Sequence, residues 1–316
     1  MYLKFYQLDR EPFLLTPDTS FIHLAKPHRD SLIALLNGVL TGKGFMVMTG
    51  GAGTGKTTVV NAVLQCLPKL NPAVSSGFLV NPLLAPSELL EAILDDLGVT
   101  CLSATKPQRL AALQQHLLQV QSRGGVTALV IDEAHLLSAE LLEEVRLLGN
   151  IDTYSGKLLQ IILSGQPELA TVLLQPRQRA LRQRISVMVQ LQPLSETETA
   201  AYIEQRLRSG GLKLPNMFTP PSVTEIFRRS HGVPRLVNIL CATCLEIGYD
   251  SRKESIDPEI VSKAVARLVS PAAAKSQGAT QLQTAPAVIP ESEPEVASTP
   301  EKDLKRAQRQ KEHTLS

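Results

Sequence analysis

The chain has 316 residues, about the length of two domains. Hydrophobic residues make up 43% and charged residues 20%, which indicates a buried core and excludes wholesale disorder or a fibrous repeat. Because 32 Lys and Arg face 30 Asp and Glu, the net charge of +2 excludes a global field that draws the protein onto DNA or an anionic membrane. Because only 4% of the residues are aromatic and none is Trp, base stacking is excluded as a main way of binding single-stranded nucleic acid.

Targeting and redox features predict a cytoplasmic protein. The opening MYLKFYQLDREPF lacks the basic start and apolar run of a signal peptide, and no apolar stretch has the length of a transmembrane helix. The four cysteines are too few for a disulfide framework. Cys241 and Cys244 form a lone CxxC without a second ligand pair nearby, so we expect two core cysteines in a buried helix.

Short apolar runs alternate with stretches of helical period over the first part of the chain. The runs are FMVMT (45–49), SGFLVN (76–81), TALVID (127–132), LLQIILS (158–164) and SVMVQL (186–191). Unbroken apolar runs of this kind are typical of a parallel sheet with both faces covered. Residues 1–192 are therefore predicted to form an α/β layered domain.

After residue 192 the pattern becomes helical. Helices are predicted over Ser195–Ser209, Pro221–Ser230, Pro234–Tyr249 and Pro258–Val269. Residues 193–269 should thus form a small all-α domain. Residues 270–316 contain no aromatic residue and end in mixed charge, so we expect a disordered tail.

The strongest motif is the glycine-rich phosphate loop, residues 50–57. It reads Gly50, Gly51, Ala52, Gly53, Thr54, Gly55, Lys56 and Thr57, followed by Thr58. It lies between the strand FMVMT and a predicted helix over Thr57–Leu67. Backbone N–H groups and the helix N-terminus should bind phosphates, with Lys56 reaching the β and γ phosphates and Thr57 holding Mg²⁺.

An acidic pair, Asp132 and Glu133, ends the strand TALVI. Asp132 is predicted to hold Mg²⁺, and Glu133 to orient and deprotonate the attacking water. Asp132 to His135 also spells DEAH, the signature of one helicase class. Because the second unit lacks that class's glycine- and arginine-rich motif, a helicase is disfavoured.

Polar and basic residues elsewhere are further candidates. Ser164 and Gln166 follow the strand LLQIILS, where either can approach the γ phosphate or simply form a turn before a helix over Pro167–Leu174. Four arginines then cluster at Arg177, Arg179, Arg182 and Arg184. They can reach a neighbouring subunit's ATP, bind DNA phosphates or form a solvated face. Arg235 starts a helix of the second unit and can sense the nucleotide, or be an ordinary surface residue.

The motifs GGAGTGKTT, LVIDEAHLL, IILSGQPEL, RQRI and GVPRLVN together resemble the AAA+ ATPase superfamily. The opening segment, GQPEL and PLSETETAAYIEQRL resemble more narrowly the ExeA/GspA-like ATPases of the general secretion pathway. The chain is also similar to transposition ATPases of the MuB and TnsC type. These resemblances cover about residues 1–268.

The resemblance implies a three-layer αβα P-loop domain with a helical lid and ATP between them, working as a homo-oligomeric ring or filament. It implies that Arg184 acts on the neighbouring subunit's nucleotide, that Arg235 is the lid sensor and that Ser164 stands at the first sensor position. It further implies that Phe13, Pro17 and His28 lie near the adenine. Related secretion proteins continue into a transmembrane helix and a peptidoglycan-binding module, which we expect to be absent here.

Three functions follow as hypotheses. The first is an Mg²⁺-dependent ATPase of secretion or envelope machinery, cytoplasmic or peripheral at the inner membrane, with a protein partner there. The second is an ATP-dependent DNA-binding regulator of a transposition system. The third is a nucleotide-gated scaffold, which the presence of both acids disfavours.

Overall fold

The computed structural model describes residues 2–15, 25–80, 82–101, 105–154, 156–212 and 217–269. The predicted tail and Pro17 lie outside these residues. Within the described ranges, no helix has both the length and the hydropathy needed to cross a membrane.

Five parallel strands form the central sheet, and a short antiparallel pair lies apart from it. In chain order the strands are β1 Phe45–Gly50, β2 Ser75–Leu79, β3 Thr127–Ile131, β4 Asp152–Thr153, β5 Gly156–Lys157, β6 Leu159–Gly165 and β7 Ile185–Leu191. The sheet order is β2-β3-β6-β1-β7, with β4 and β5 forming the separate pair. All five predicted strands of the sheet are confirmed, whereas the β4–β5 pair is additional.

Twelve helices are assigned within the described residues. They are α1 Tyr2–Phe5, α2 Lys26–Leu40, α3 Lys56–Leu70, α4 Pro86–Asp96, α5 Lys106–Ser122, α6 Ala139–Leu148, α7 Glu168–Leu174, α8 Arg179–Arg182, α9 Glu196–Ser209, α10 Pro220–Ser230, α11 Pro234–Asp250 and α12 Pro258–Val269. The four helices predicted after residue 192 correspond to α9–α12. The boundary between domains at residues 192 and 193 stays a prediction.

Both faces of the sheet are buried, which explains why its strands are apolar without interruption. Phe45 and Val47 of β1 join a core cluster with α4, α5 and α6. Met46 and Met48 point the other way and join a cluster with α2 and α3. Because successive side chains of a strand alternate between faces, a strand covered on both sides needs apolar residues at every position.

The helices after β7 form their own core. Helix α9 begins with a capping box in which the Ser195 backbone N–H donates to Glu198 Oε2 (2.9 Å) and the Glu198 N–H donates to Ser195 Oγ (3.3 Å). Cys241 and Cys244 are completely buried in this core, as predicted. Burial raises the pKa of the Cys244 thiol to about 12, so both cysteines are inert packing residues.

Residues from the start of the chain complete the helical core. Tyr6, Leu8 and Phe13 are buried in it, and the Tyr6 hydroxyl donates to the Lys253 carbonyl oxygen at 3.0 Å. Residues 2–13 therefore pack into the core of α9–α12, although all the strands of the sheet lie between the two segments in the sequence.

A tight backbone contact connects the end of the sheet to the start of α11. The Leu194 N–H donates to the Gly232 carbonyl oxygen at 2.9 Å. Gly232 has φ +69°, and a Cβ atom there would overlap the carbonyl oxygen of Leu194. Gly42 has the same φ of +69°, but no atom lies within 4 Å of the position of its Cβ.

These two glycines give a matched test of that contact. Gly42→Ala should lower the free energy of unfolding by about 1 kcal/mol or less, because only the left-handed backbone is penalised. Gly232→Ala should lower it by at least about 2 kcal/mol more, since the methyl group must also displace backbone. Urea unfolding of the two variants measures the difference; equal losses would contradict the contact.

Candidate nucleotide site

The phosphate loop joins β1 to α3. Gly53 has φ +75° and Gly55 has φ +98°, a conformation that favours glycine. The Thr54 hydroxyl donates to the Gly51 carbonyl oxygen at 2.8 Å and closes the loop. Ala52 is exposed, and Thr58 lies in the first turn of α3. The loop thus ends at a helix N-terminus, the arrangement that binds anions.

Lys56 points into the loop. Its side chain is buried, and its ammonium group donates to the carbonyl oxygens of Gly50 (2.9 Å) and Gly51 (3.1 Å). Burial lowers the pKa of Lys56, while the charges of Glu133 and Asp132 act in the opposite direction. The cation therefore lies where a bound phosphate chain would meet it.

The Asp132 carboxylate joins three elements at the end of the sheet. One oxygen, Oδ2, accepts a hydrogen bond from the Thr57 hydroxyl of α3 at 2.8 Å. The other, Oδ1, accepts from the Ser164 hydroxyl of β6 at 2.7 Å and from the Glu133 N–H at 3.0 Å. Because Asp132 is 2% exposed, these donors compensate a charge that water scarcely reaches.

Thr57 and Asp132 form a donor set that fits Mg²⁺. A hydroxyl oxygen and a carboxylate oxygen lie 2.8 Å apart, next to the phosphate loop. Mg²⁺ prefers such oxygen ligands, commonly one carboxylate together with substrate phosphates. The residues predicted as metal ligands are thus adjacent.

Glu133 is adjacent to the Asp132 carboxylate. Its φ of +50° is uncommon for a residue other than glycine and marks a sharp turn after β3. Its Oε2 lies 3.3 Å from His135 Nδ1, and His135 in turn contacts Gln166 after β6. Ser164 therefore contacts Asp132 directly, whereas Gln166 contacts His135, which lies next to Glu133.

His28 of α2 contacts the other side of the phosphate loop. Its Nε2 lies 2.7 Å from the Thr54 carbonyl oxygen and therefore donates to it. Burial lowers the pKa of His28, while the hydrogen bond to Thr54 acts in the opposite direction. Phe13 packs edge-on against Phe218 with ring centroids 6.1 Å apart, and its place near the adenine stays a prediction.

The helical unit touches the loop through the start of α11. The Arg235 N–H donates to the Gly53 carbonyl oxygen at 3.3 Å. A Cβ atom on Gly53 would lie 2.8 Å from the Arg235 Cβ, so glycine is needed for this close approach. The Arg235 side chain is exposed.

Arg184 lies at the far edge of the sheet. It precedes β7, whose first residue, Ile185, pairs with Phe45 at the start of β1, whereas Leu191 pairs with Gly50 at the phosphate loop. Arg184 is thus a full strand length from the loop of its own chain. Arg177, Arg179 and Arg182 are exposed nearby.

Two features of the site go beyond what the sequence predicts. The sequence identifies His135 only as part of the DEAH motif. The one signal that could have placed His135 in the site is its position three residues after Asp132. The contact of Gly53 with Arg235 has no local signal, because the two residues are far apart in the chain.

Comparisons with known proteins agree with the fold. Residues 39–173 match the AAA domain family. The fold is shared with the Aeropyrum pernix ORC2 protein in its ADPNP-ADP complexes (TM-score 0.61, 18% identity, 82% of this chain and 71% of that one). It is shared too with the Aeropyrum pernix ORC1 protein in complex with DNA (TM-score 0.59, 21% identity, 82% and 69%). The fold and the site define a nucleotide-binding AAA+ ATPase domain.

The chain is similar to a secretion protein in particular. It is 37% identical over 246 residues to General secretion pathway protein A of Aeromonas hydrophila. The match covers 78% of this chain and 44% of that protein, so the chain spans less than half the length of this relative. The resemblance to the GspA-like AAA+ ATPases is confirmed.

Proposed function

We propose that the chain hydrolyses ATP with Mg²⁺ and uses the cycle to drive oligomerisation and conformational change in secretion or envelope-assembly machinery. The observation that carries the proposal is the Asp132 carboxylate, held between the Thr57 and Ser164 hydroxyls with Glu133 beside it. Phosphoryl transfer to water needs a held metal, a positioned water and neutralised phosphate charge, and these residues can supply each.

Each residue has a role in this proposal. The phosphate loop and Lys56 bind the β and γ phosphates, and Thr57 and Asp132 hold the metal. When bound there, Mg²⁺ would supply neutralisation of the phosphate charge. Glu133 orients the attacking water and accepts its proton, while Ser164 keeps Asp132 in place.

Two arginines connect the site to larger movements. The backbone N–H of Arg235 donates to the Gly53 carbonyl oxygen. The Arg235 side chain can therefore respond to the γ phosphate and shift the helical unit. Arg184 is too far from its own phosphate loop to act on it, which supports a role on the nucleotide of a neighbouring subunit. The role of Arg184 makes turnover depend on assembly, whereas that of Arg235 acts within one chain.

The secretion pathway enters through the relative named General secretion pathway protein A. Its name supports a place for this chain in a secretion pathway. A protein partner at the cytoplasmic face of the inner membrane is a further part of the proposal. In that setting the bound nucleotide would determine whether the chain assembles into an oligomer, and the oligomer would act on the partner.

Two substitutions separate binding from hydrolysis. Glu133→Gln should keep affinity for ATP and lower the turnover number by about 100-fold or more, because the general base is lost. Lys56→Ala should weaken ATP binding itself by about 10-fold or more, since it removes a charge-assisted hydrogen bond. Steady-state turnover and calorimetric titration with a non-hydrolysable ATP analogue measure the two effects.

Equal loss of binding and turnover in Glu133→Gln would contradict the role of Glu133. The same turnover assay tests assembly. Activity per subunit should rise with protein concentration, and Arg184→Ala should remove that rise while leaving affinity for the analogue unchanged. A turnover that is independent of concentration would refute the action of Arg184 across an interface.

A second candidate is ATP-dependent binding to duplex DNA, as in a target-selecting transposition ATPase. The observation in its favour is the exposed group Arg177, Arg179 and Arg182, none of which forms an ion pair among the described residues. Arginines on one short segment that are not neutralised by acids can bind successive phosphates. The neutral net charge of the chain favours the first candidate.

Salt dependence distinguishes the two. If DNA binds, replacing the three arginines by Ala should reduce the slope of log affinity against log salt by about 0.9 for each phosphate that the variant no longer neutralises. Arg228 and Arg229, which pair with Glu225 on α10, give a matched control in which the slope should not change. Undetectable or salt-insensitive binding with the ATP analogue present would remove this candidate.

A further inference from the structure

The His135 ring lies between Glu133 and the end of β6. Its Nδ1 is 3.3 Å from Glu133 Oε2 and 3.4 Å from the Gln166 backbone nitrogen. Its Nε2 is 3.2 Å from the Gln166 side-chain nitrogen. Nδ1 thus faces both Glu133 and the Gln166 backbone, whereas Nε2 faces the Gln166 side chain. The ring belongs to a short turn, Ala134–Leu136, that directly follows the acids.

The Glu133 carboxylate needs a donor at this place. Its Oε2 atom is buried from water and accepts no hydrogen bond from the described residues, although the Glu133 side chain as a whole is 41% exposed. A buried carboxylate oxygen without a donor is unfavourable, and it also leaves the carboxylate free to rotate. His135 Nδ1 is the nitrogen that lies within reach of that atom.

The ring nitrogen can serve only one neighbour at a time. In the tautomer with the proton on Nδ1, the ring can donate to Glu133 Oε2, 3.3 Å away, once the carboxylate turns toward it, and Nε2 accepts from the Gln166 amide. In the other tautomer, Nδ1 accepts from the Gln166 backbone N–H, and Glu133 loses its donor. The orientation of the Gln166 amide group therefore determines whether Glu133 is held.

We propose that His135 is a positioning residue for Glu133, and that Gln166 selects the ring tautomer in which Nδ1 donates to the carboxylate. The inference rests on the proposed role of Glu133 as the base. The end of strand β6 then positions both acids. Ser164 donates to Asp132, whereas Gln166, two residues later, acts on Glu133 through His135.

Two amide side chains imitate the two ring nitrogens separately. The nitrogen of Asn can occupy the position of Nδ1, so His135→Asn keeps a donor to Glu133. The nitrogen of Gln reaches the position of Nε2, so His135→Gln keeps the contact with Gln166 and removes the donor. His135→Ala removes both.

The turnover number should follow the donor to Glu133. It should fall by about 10- to 100-fold in His135→Ala and His135→Gln, since a misplaced catalytic group costs rates of this order, and should stay within about 3-fold of wild type in His135→Asn. The affinity for a non-hydrolysable ATP analogue should be the same in all. Thermal unfolding of each variant reports folding, and the Asn and Gln variants carry the test if the Ala variant does not fold.

A double-variant cycle separates this inference from the proposed function. In the Glu133→Gln background, His135→Ala should cause no further loss of turnover, because there is no base left to position. Additive losses, or equal turnover in His135→Asn and His135→Gln, would overturn the role of His135. Full turnover in Glu133→Gln alone would instead overturn the proposed base.

Discussion

A buried carboxylate in the site must be surrounded by donors, and at Asp132 those donors come from three different elements. Thr57 belongs to the helix after the phosphate loop, Ser164 to strand β6, and the Glu133 N–H to the turn after β3. Losing one of these donors would remove a hydrogen bond from a carboxylate that is 2% exposed, which costs about 2 kcal/mol. The position of the phosphate loop relative to the two acids therefore depends on this one group.

The same constraint connects the sheet to the helical unit. Strand β1 leads into the loop that Asp132 fixes through Thr57, and the loop's Gly53 touches the start of α11. The turn before α11 is in contact with Leu194, immediately after β7. A shift of the loop on nucleotide binding would press on α11 directly. If the proposed nucleotide-driven movement occurs, these two backbone contacts are its path to the helical unit.

Much of this arrangement could be predicted from the sequence, because its signals are local. Apolar runs predicted the strands, the glycines and Lys56 predicted the loop, and Ser195 with Glu198 predicted a helix start that the structure confirms. The contacts of Gly53 with Arg235 and of Phe13 with Phe218 could not be predicted. Each joins two segments that are far apart in the sequence, and each depends on how the helices pack. His135 has no periodic or compositional signal of its own.

In the proposed function, Thr57 and Asp132 would hold Mg²⁺ beside the bound nucleotide. Calorimetric titration of a non-hydrolysable ATP analogue, with and without Mg²⁺, tests it in the wild type and in Asp132→Asn. The Asn side chain keeps the size and loses the charge. Mg²⁺ should strengthen binding by about 10-fold or more in the wild type and by much less in Asp132→Asn. An undiminished Mg²⁺ effect in Asp132→Asn would contradict the role of Asp132 as a metal ligand.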